Sequence, residues 1–224
     1  MGSPTCLTDP AVPVVLDASA AINLCAAGCA DDILRALPNT ALVVDAIPAE
    51  LEQGRHRGRR DAETLCELVA AGLVRVVTLG EPAEAIFESL VIGGAAQTLD
   101  DGEAATIAYA VEHRSVAVID ERKAIRICGQ RFPARRLGCT VDVFAHPDVL
   151  RTLGRERASQ AVANALQLAR MRVLPHHVNW VVDLIGAEQA ALCASLPRSV
   201  RGMGMARRAE PVRREAFPAG GDGR

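Results

Sequence analysis

Short apolar runs rich in valine alternate with helical segments over more than half of this chain, and this alternation constrains the fold more than any other feature. The first run, within "PVVLDASAAINL" (residues 13–24), has no polar alternation, as expected of a strand that is buried on both faces. Further strands are predicted at residues 41–44, 73–79, 115–120 and 139–144. Strands that alternate with helices imply crossover connections, so the sequence predicts an α/β protein with a mostly parallel sheet covered on both faces.

The segments between these strands carry helix start and stop signals. Helices are predicted in "SAAINLCAAG" and "DDILRAL", separated at Gly28, and in the amphipathic segment that ends at Gly72. The segment "DDGEAATIAYAVEH" (residues 100–113) predicts a further helix, for which Asp101 is the expected N-cap. Each of these helices lies between two predicted strands, as a crossover connection requires.

The pattern changes after residue 145. Two amphipathic helices are predicted at residues 156–171 and 178–196, with no strand between them. The last segment is rich in Arg, Gly, Pro and Ala and has little periodicity, which is typical of a disordered basic tail. We therefore divide the chain into an N-terminal lead, an α/β domain, a C-terminal helical extension and an Arg-rich tail, at residues 1–11, 12–145, 146–197 and 198–224.

Composition excludes several classes of protein. No run approaches the ~20 apolar residues that a membrane span needs, and the N-terminus has no pattern of a secretory signal. The net charge of −2 argues against bulk electrostatic attraction to nucleic acids or membranes. The seven cysteines include no CxxC pair, so we expect small, buried free thiols in a reducing compartment. These features predict a soluble, cytoplasmic protein without membrane contact.

Acidic residues stand where the predicted strands end and where two helices begin. Asp17 and Asp120 end the first and fourth strands, and Glu50 and Glu103 open helices that follow later strands. In an open parallel sheet such positions meet at the carboxyl edge of the strands, where ligands bind. Converging carboxylates repel one another unless a cation lies between them, and Mg²⁺ and Mn²⁺ prefer oxygen ligands. The four acids therefore predict a Mg²⁺ or Mn²⁺ site.

Each acid also has a purely structural interpretation, which the sequence leaves open. Asp17, together with Ser19, can cap the helix that follows it. The two glutamates are favoured in the first turn of a helix by its macrodipole, even without a function. Glu52, Asp101 and Glu121 lie close to the four acids in sequence and are the alternative ligands.

Four segments resemble, in order and spacing, the motifs of the PIN-domain family of nucleases. They are "VVLDASAAINL", "VVDAIPAELEQG", "LDDGEAATIAYAVEH" and "VAVIDERKAI", and they span residues 12–145. The third resembles the family's variant with Gly-Glu-Ala. The resemblance implies a three-layer α/β/α fold and an acidic pocket that uses Mg²⁺ or Mn²⁺ to hydrolyse phosphodiester bonds, usually in RNA. The family's acidic positions correspond to Asp17, Glu50, Glu103 and Asp120, and its hydroxyl position corresponds to Ser19. Ile119 departs from the pattern, since many members carry Thr or Ser there.

Basic residues next to these motifs are the predicted substrate contacts. Arg55 and Arg57 belong to the loop "RHRGRR" that follows Glu50, and Arg122 and Lys123 follow Asp120. Such residues bind a nucleic-acid backbone with release of counterions. The alternative is that they form a solvated surface.

The predicted function is a Mg²⁺- or Mn²⁺-dependent ribonuclease, with the toxin of a toxin–antitoxin pair as one form of it. RNA is the expected substrate, an antitoxin or another protein is the expected partner, and a homodimer is expected by similarity to toxin-like relatives. The alternative function is a catalytically silent module that binds RNA or a protein. His176 and His177 are interpreted as the polar start of a helix rather than as a metal site.

Overall fold

Five parallel strands form the centre of the structure, a computed structural model that describes residues 5–55 and 60–201. The strands are β1 (Val14–Leu16), β2 (Ala41–Val44), β3 (Val74–Val77), β4 (Val116–Val118) and β5 (Leu137–Gly138). Their order is β3-β2-β1-β4-β5, and every neighbouring pair is parallel. All residues of β1, β2 and β4 are buried, so helices cover both faces of the sheet. The predicted α/β fold with a parallel sheet is confirmed.

Helices connect the strands and continue beyond them. They are α1 (Ala18–Ala26), α2 (Ala30–Ala36), α3 (Ala46–Arg55), α4 (Asp61–Ala70), α5 (Glu81–Val91), α6 (Asp101–Glu112), α7 (Arg122–Arg131), α8 (Thr140–Phe144), α9 (Pro147–Leu168), a 3₁₀ turn (Pro175–His177), α10 (Val178–Ile185) and α11 (Ala187–Leu192). Helix α6 packs across β1, β2 and β4. Its inward positions are mostly alanine, which allows the helix to lie close to the sheet in a chain that has few aromatic residues.

The strand order reverses at β1. The chain runs outward from β1 to β2 and β3 and then returns to β4 on the other side of β1. Leu16 of β1 is in register with Val118 of β4, and the backbone N–H of Asp17 donates to the carbonyl oxygen of Val118 at 3.2 Å. Ligands of open α/β sheets bind in the crevice at such a switch point, outside the carboxyl ends of the strands. The fold thus places the residues that follow β1 and β4 at the edge of this crevice.

The C-terminal helices pack onto the α/β domain. Helix α9 packs against α1 and α2, and α10 packs against α9. Gly154 has a φ of 70° and kinks α9 near its first turns. After α9 ends at Leu168, the chain returns to the carboxyl edge of the sheet through Ala169, Arg170, Met171 and Arg172. We call this segment, residues 169–172, the return segment.

The predicted fifth strand at residues 139–144 is wrong. The fifth strand ends at Gly138, and residues 140–144 form α8 instead. The segment "TVDVF" has β-branched residues and alternates in polarity, which is typical of a strand. A capping box, in which the Asp142 side chain accepts from the backbone N–H of Cys139, begins the helix. All five residues of α8 are buried. The alternation of polar and apolar residues therefore does not mark an exposed and a buried face here, and it gives no evidence for a strand.

Three helix boundaries also differ from the prediction. The N-cap of α6 is Asp100 and not Asp101, because the Asp100 side chain accepts from the backbone N–H of Glu103 at 2.8 Å. The single helix predicted at 178–196 is interrupted at Gly186, whose φ is 82°. The helix predicted at 156–171 belongs to the longer α9, which begins at Pro147.

The seven cysteines form no disulfide in the described part of the chain, and their burial varies. Cys128, Cys139 and Cys193 are buried, but Cys66 is exposed on α4, so the expectation of buried thiols is wrong for it. Within residues 5–55 and 60–201, no helix combines the length and the apolarity that a membrane span requires. Residues 198–201 of the predicted disordered tail are helical, and the rest of that tail lies outside the described residues.

Candidate active site

A pocket of about 400 Å³ opens at the switch point, between the ends of β1 and β4. Its described lining includes six carboxylates: Asp17, Glu50, Asp100, Glu103, Asp120 and Glu121. The structure thus places the four acids that the sequence singled out around one pocket, together with Glu121, an alternative ligand from the sequence, and Asp100, which the sequence did not suggest. Ser19 also lines the pocket, whereas Glu52 and Asp101 do not.

Asp17 is both a helix cap and a wall of the pocket. It is the N-cap of α1, and its Oδ1 accepts from the backbone N–H of Ala20 at 2.6 Å. The hydroxyl of Ser19 donates to both carboxylate oxygens, at 3.0 and 2.9 Å. Burial raises the pKa of Asp17 well above its usual value; the hydrogen bond from Ala20 opposes this shift, and the charge of Asp120 adds to it. A cap needs no neighbouring carboxylates, so these charges indicate a second role for Asp17.

Asp120 accepts hydrogen bonds from three donor groups. Its carboxylate accepts from the Asn23 side-chain amide at 2.7 Å, from the backbone N–H of Thr140 at 2.8 Å and from the Thr140 hydroxyl at 2.5 Å. Asp120 is 2% exposed. Burial raises its pKa, although the hydrogen bonds from Thr140 and Asn23 act in the opposite direction. These bonds hold the carboxylate in one orientation at the pocket.

Sequence reasoning missed both partners of Asp120. Asn23 is a lone buried amide in an otherwise apolar helix, and that isolated polar residue is the signal that was available. Thr140 falls within the wrongly predicted fifth strand, so its position at the start of a helix was hidden. Its hydroxyl donates to the carboxylate of Asp120, so a hydroxyl reaches this acid from α8 although the preceding residue, Ile119, has none.

Glu103 and Glu50 complete the acidic group from two different helices. Glu103 lies in the first turn of α6, and its pKa is raised to about 7 by burial and by the charge of Asp100. Nearby Lys123 and Arg172 act against this shift. Glu50 is exposed at the rim on α3, and its pKa is raised by partial burial and by Asp100. Burial is the main cause of the raised pKa values at all four acids, and neighbouring carboxylates add to each shift.

Gly102 explains how Glu50 reaches this group. A Cβ at position 102 would lie 2.7 Å from Oε2 of Glu50 and 3.3 Å from Cδ1 of Ile47. The glycine therefore lets α3 pack against the first turn of α6 with the Glu50 carboxylate between them. This is a physical reason for glycine in "GEA".

We expect Gly102→Ala to weaken the site without unfolding the protein. Alanine favours a helix interior by about 1 kcal/mol over glycine, but its methyl group would displace the Glu50 carboxylate. We expect divalent-ion affinity to fall about 10-fold or more, as when a partner of a metal ligand is lost. Ion affinity by calorimetry and the melting temperature are the measurements.

Gly129→Ala in α7 is the matched control, because a Cβ there meets nothing within 4 Å. It should leave ion affinity unchanged. Equal affinities in the two variants would show that Glu50 does not depend on Gly102.

The return segment forms a basic wall of the same pocket. Arg170 and Arg172 line the pocket, and the Arg172 guanidinium forms an ion pair with Glu121. Arg170 has a φ of 57°, which is uncommon for a residue other than glycine. Nothing in the sequence associates these arginines with the acids, because only the path of the extension brings them together.

The basic residues predicted from the sequence have different outcomes. Arg122 lines an adjoining pocket of about 280 Å³, which shares Asp120 and Arg172 with the acidic one. Lys123 lies close enough to Glu103 for its charge to oppose the rise in the pKa of that residue. Arg55 ends α3 with its side chain undescribed, and Arg57 lies outside the described residues. Their role in substrate binding stays a prediction.

The donor set fits a hard divalent cation. The candidate ligands are carboxylates, which suit Mg²⁺ and Mn²⁺, and the described lining contains no thiol or imidazole. Burial raises the pKa of Asp17, Asp120, Glu103 and Glu50, a neighbouring carboxylate adds to each shift, and a bound cation would offset both effects. These four residues are the candidate ligands.

Comparison with known proteins identifies one family. A family model described as a PIN domain matches residues 13–141, which is more than half of the chain. The matched range contains the four candidate ligands, and the return segment lies outside it. No curated protein and no solved structure shows a significant match.

Proposed function

This chain belongs to the PIN-domain family, and on that premise we propose that it is a Mg²⁺- or Mn²⁺-dependent ribonuclease. PIN domains have a nuclease-like fold and are generally nucleases. The observation that carries the proposal is the convergence of Asp17, Glu50, Glu103 and Asp120 around one pocket at the switch point. A phosphodiester is an anion, so an acidic pocket is suited to it only when the pocket also holds a cation.

The protein's own residues hold the ligand carboxylates in place. A bound divalent ion supplies charge neutralisation at the phosphodiester and a bound water of lowered pKa. Asn23 and Thr140 orient Asp120, and the N–H of Ala20 with the hydroxyl of Ser19 orients Asp17. These contacts hold both carboxylates in place before substrate arrives, which avoids reorganisation during the reaction.

The return segment supplies the phosphate contacts in this proposal. Arg172 borders both the acidic pocket and the adjoining pocket that Arg122 lines. Arginines spread along two joined pockets suit consecutive phosphates of a chain better than a single small anion. The guanidinium can bind phosphate oxygens through two parallel hydrogen bonds.

We expect Arg172→Ala to weaken RNA binding about 10-fold while kcat changes less. The variant loses one phosphate contact and also leaves the Glu121 carboxylate unpaired beside the substrate. The plot of log K against log salt has a negative slope, and the magnitude of that slope should decrease by about 0.7, because one phosphate contact to single-stranded RNA is lost. Arg151→Ala is the control, since Arg151 is exposed and pairs with Asp148 on α9. Similar salt slopes for wild type and Arg172→Ala would contradict the assignment.

Cleavage of labelled RNA tests the function directly. Wild type and the Asp17→Asn/Asp120→Asn variant are incubated with single-stranded RNA, or with DNA of the same sequence, in Mn²⁺, Mg²⁺ or EDTA. We expect RNA cleavage by wild type that requires the metal, and none by a variant whose circular dichroism is native. Cleavage of the DNA but not of the RNA would show that the enzyme is a deoxyribonuclease. Binding of RNA without cleavage would support the silent-module alternative.

The toxin role and the partners stay predictions. A homodimer is checked by light scattering at micromolar concentration, where a monomer would contradict it. Growth arrest on induction of the wild type, but not of the Asp17→Asn/Asp120→Asn variant, is the result expected of a toxin.

A further inference from the structure

A second group of metal-binding side chains lies outside the acidic pocket. Cys139, Asp142 and His177 are all buried, and their candidate ligand atoms all lie within 4.8 Å of one another. Cys139 and Asp142 belong to the start of α8, whereas His177 comes from the 3₁₀ turn of the extension. None of the three lines the acidic pocket. The group is thus a separate cluster, which joins the domain to its C-terminal extension.

His177 is the most unusual member of this cluster. Its side chain is completely buried, and neither ring nitrogen has a hydrogen-bond partner among the described residues. Nε2 lies 3.5 Å from Oδ2 of Asp142, which is long for a hydrogen bond. A buried polar atom without a partner destabilises the folded state, and a metal ion bound to one ring nitrogen would remove that cost for it. His177 does stand at the start of a helix, as the N-cap of α10, and the structure adds that its side chain is completely buried.

Asp142 gives the cluster a buried negative charge. Burial opposes its ionisation, but the neighbouring His177 ring and hydrogen bonds from Cys139 outweigh burial and lower its pKa. Its oxygens accept from the backbone N–H groups of Cys6 and Cys139, both at 2.8 Å, and from the Cys139 thiol at 3.1 Å. The ion-pair partner that the described residues give Asp142 is His177, which carries a charge only when its ring is protonated. An anion in such a position is stabilised by a cation.

We propose that Cys139, Asp142 and His177 bind Zn²⁺ as a structural site. Bond lengths of about 2.3 Å to sulfur and about 2.0–2.1 Å to nitrogen and oxygen place tetrahedral ligands about 3.3–3.6 Å apart. The Cys139 sulfur and the His177 Nε2 lie 3.1 and 3.5 Å from Oδ2 of Asp142. These two distances are close to those expected between zinc ligands, so the side chains would need to move little to bind the ion.

The chemistry of the three ligands selects zinc over magnesium. Thiolate and imidazole are soft or borderline donors, which favour Zn²⁺ and disfavour Mg²⁺. On binding, the Cys139 thiol loses its proton to solvent, Asp142 is already ionised, and His177 coordinates as a neutral ring through Nε2. One Zn²⁺, one thiolate and one carboxylate then sum to zero charge, which suits a buried site.

The N-terminal lead also contacts the cluster, through the backbone of Cys6. The backbone N–H of Cys6 donates to Oδ1 of Asp142 at 2.8 Å, and burial together with the Asp142 charge raises the pKa of the Cys6 thiol to about 12. Zinc at the cluster would therefore draw together the N-terminal lead, α8 and the extension.

The position of the cluster links it to the acidic pocket. Thr140, which holds Asp120 through two hydrogen bonds, follows Cys139 directly in the chain. His177 anchors the chain that leaves the return segment. Zinc would thus hold in place both a support of Asp120 and the arginines of the return segment.

Zinc content and cobalt spectroscopy test this proposal on the full chain. The protein is produced with added zinc and dialysed against a weak chelator, and the bound metal is counted by mass spectrometry. We expect one zinc per chain in wild type and loss of that zinc in Cys139→Ala and His177→Gln. Cobalt in place of zinc should give the thiolate charge-transfer band and the visible bands of a tetrahedral site.

Two controls separate this site from the acidic pocket and from nonspecific thiols. Cys128→Ala removes a buried thiol outside the cluster, and Asp17→Asn/Asp120→Asn removes the proposed Mg²⁺ ligands. Both should keep the zinc and the cobalt thiolate band. The acidic pocket has no thiol in its described lining, so this band is independent of ribonuclease activity.

Two results would overturn the proposal. One is a folded wild type that retains no zinc and gives no cobalt thiolate band. The other is zinc that persists in a folded Cys139→Ala variant. Because the wild-type spectrum needs no substitution, a variant that fails to fold does not remove the test.

Discussion

Replacement of Asp17 by asparagine should abolish metal-dependent RNA cleavage without destabilising the protein. Asparagine caps a helix about as well as aspartate, so its side-chain oxygen can still accept from the backbone N–H of Ala20. The substitution removes a buried charge that neighbouring Asp120 repels, so the melting temperature should stay the same or rise. Activity should fall by more than about 100-fold, because loss of an outer-shell partner alone costs about 10- to 100-fold.

Asp17→Ala separates the two roles of this residue. Alanine removes both the charge and the cap, so activity should be lost and stability should fall by about 1 kcal/mol. Thermal unfolding and cleavage rates are measured together for both variants and for wild type. Asp32→Asn serves as the control, since Asp32 is a surface residue that pairs with Arg157 away from the pocket. If Asp17→Asn cleaves RNA at the wild-type rate, Asp17 is only a cap.

A divalent ion should stabilise the protein strongly at pH 8 and hardly at pH 5. Folding raises the pKa of Glu103 from its ordinary value of 4.5 to about 7. A carboxyl whose pKa is raised on folding binds protons more tightly in the folded state. Its contribution to stability is therefore present below its unfolded pKa and is lost as the pH rises through its folded pKa. The metal-free protein should thus lose stability between about pH 4.5 and pH 7, and Asp17, Asp120 and Glu50 act in the same direction.

The ion reverses this loss because it binds the ionised carboxylates. At a concentration of about 100 times Kd it contributes about 2.7 kcal/mol, which corresponds to roughly 5–10 °C in melting temperature for a chain of this size. At pH 5 protons compete for the same oxygens and the shift should nearly disappear. Melting curves with Mn²⁺ or EDTA at both pH values are the measurement.

Glu103→Gln should reduce the pH dependence, and Glu67→Gln on α4 should not. Equal Mn²⁺ shifts at pH 5 and pH 8 would contradict the assignment of these carboxylates as ligands. An absence of any shift at pH 8 would contradict the metal site itself.

The parallel sheet and the place of the acids could be predicted from the amino-acid sequence alone. Parallel strands all end at the same edge, so the sequence places Asp17 and Asp120 at that edge, and the adjacency of β1 and β4 brings them to one pocket. The same reasoning failed at residues 139–144. A short apolar segment buried on every side has no exposed face, and its pattern therefore cannot distinguish a strand from a helical turn.

The surroundings of the acids, by contrast, depend on tertiary packing. Asn23 is 97 residues from Asp120 in sequence, yet its amide bonds to that carboxylate at 2.7 Å. The return segment and His177 lie beyond the matched family range and reach their positions through the packing of α9. Local patterns report which way a side chain faces within its own element, but contacts between distant elements depend on how those elements pack. Packing between distant elements decided the basic wall, and it also decided the cluster of Cys139, Asp142 and His177. Local patterns, by contrast, were enough to place the acids at the edge of the sheet.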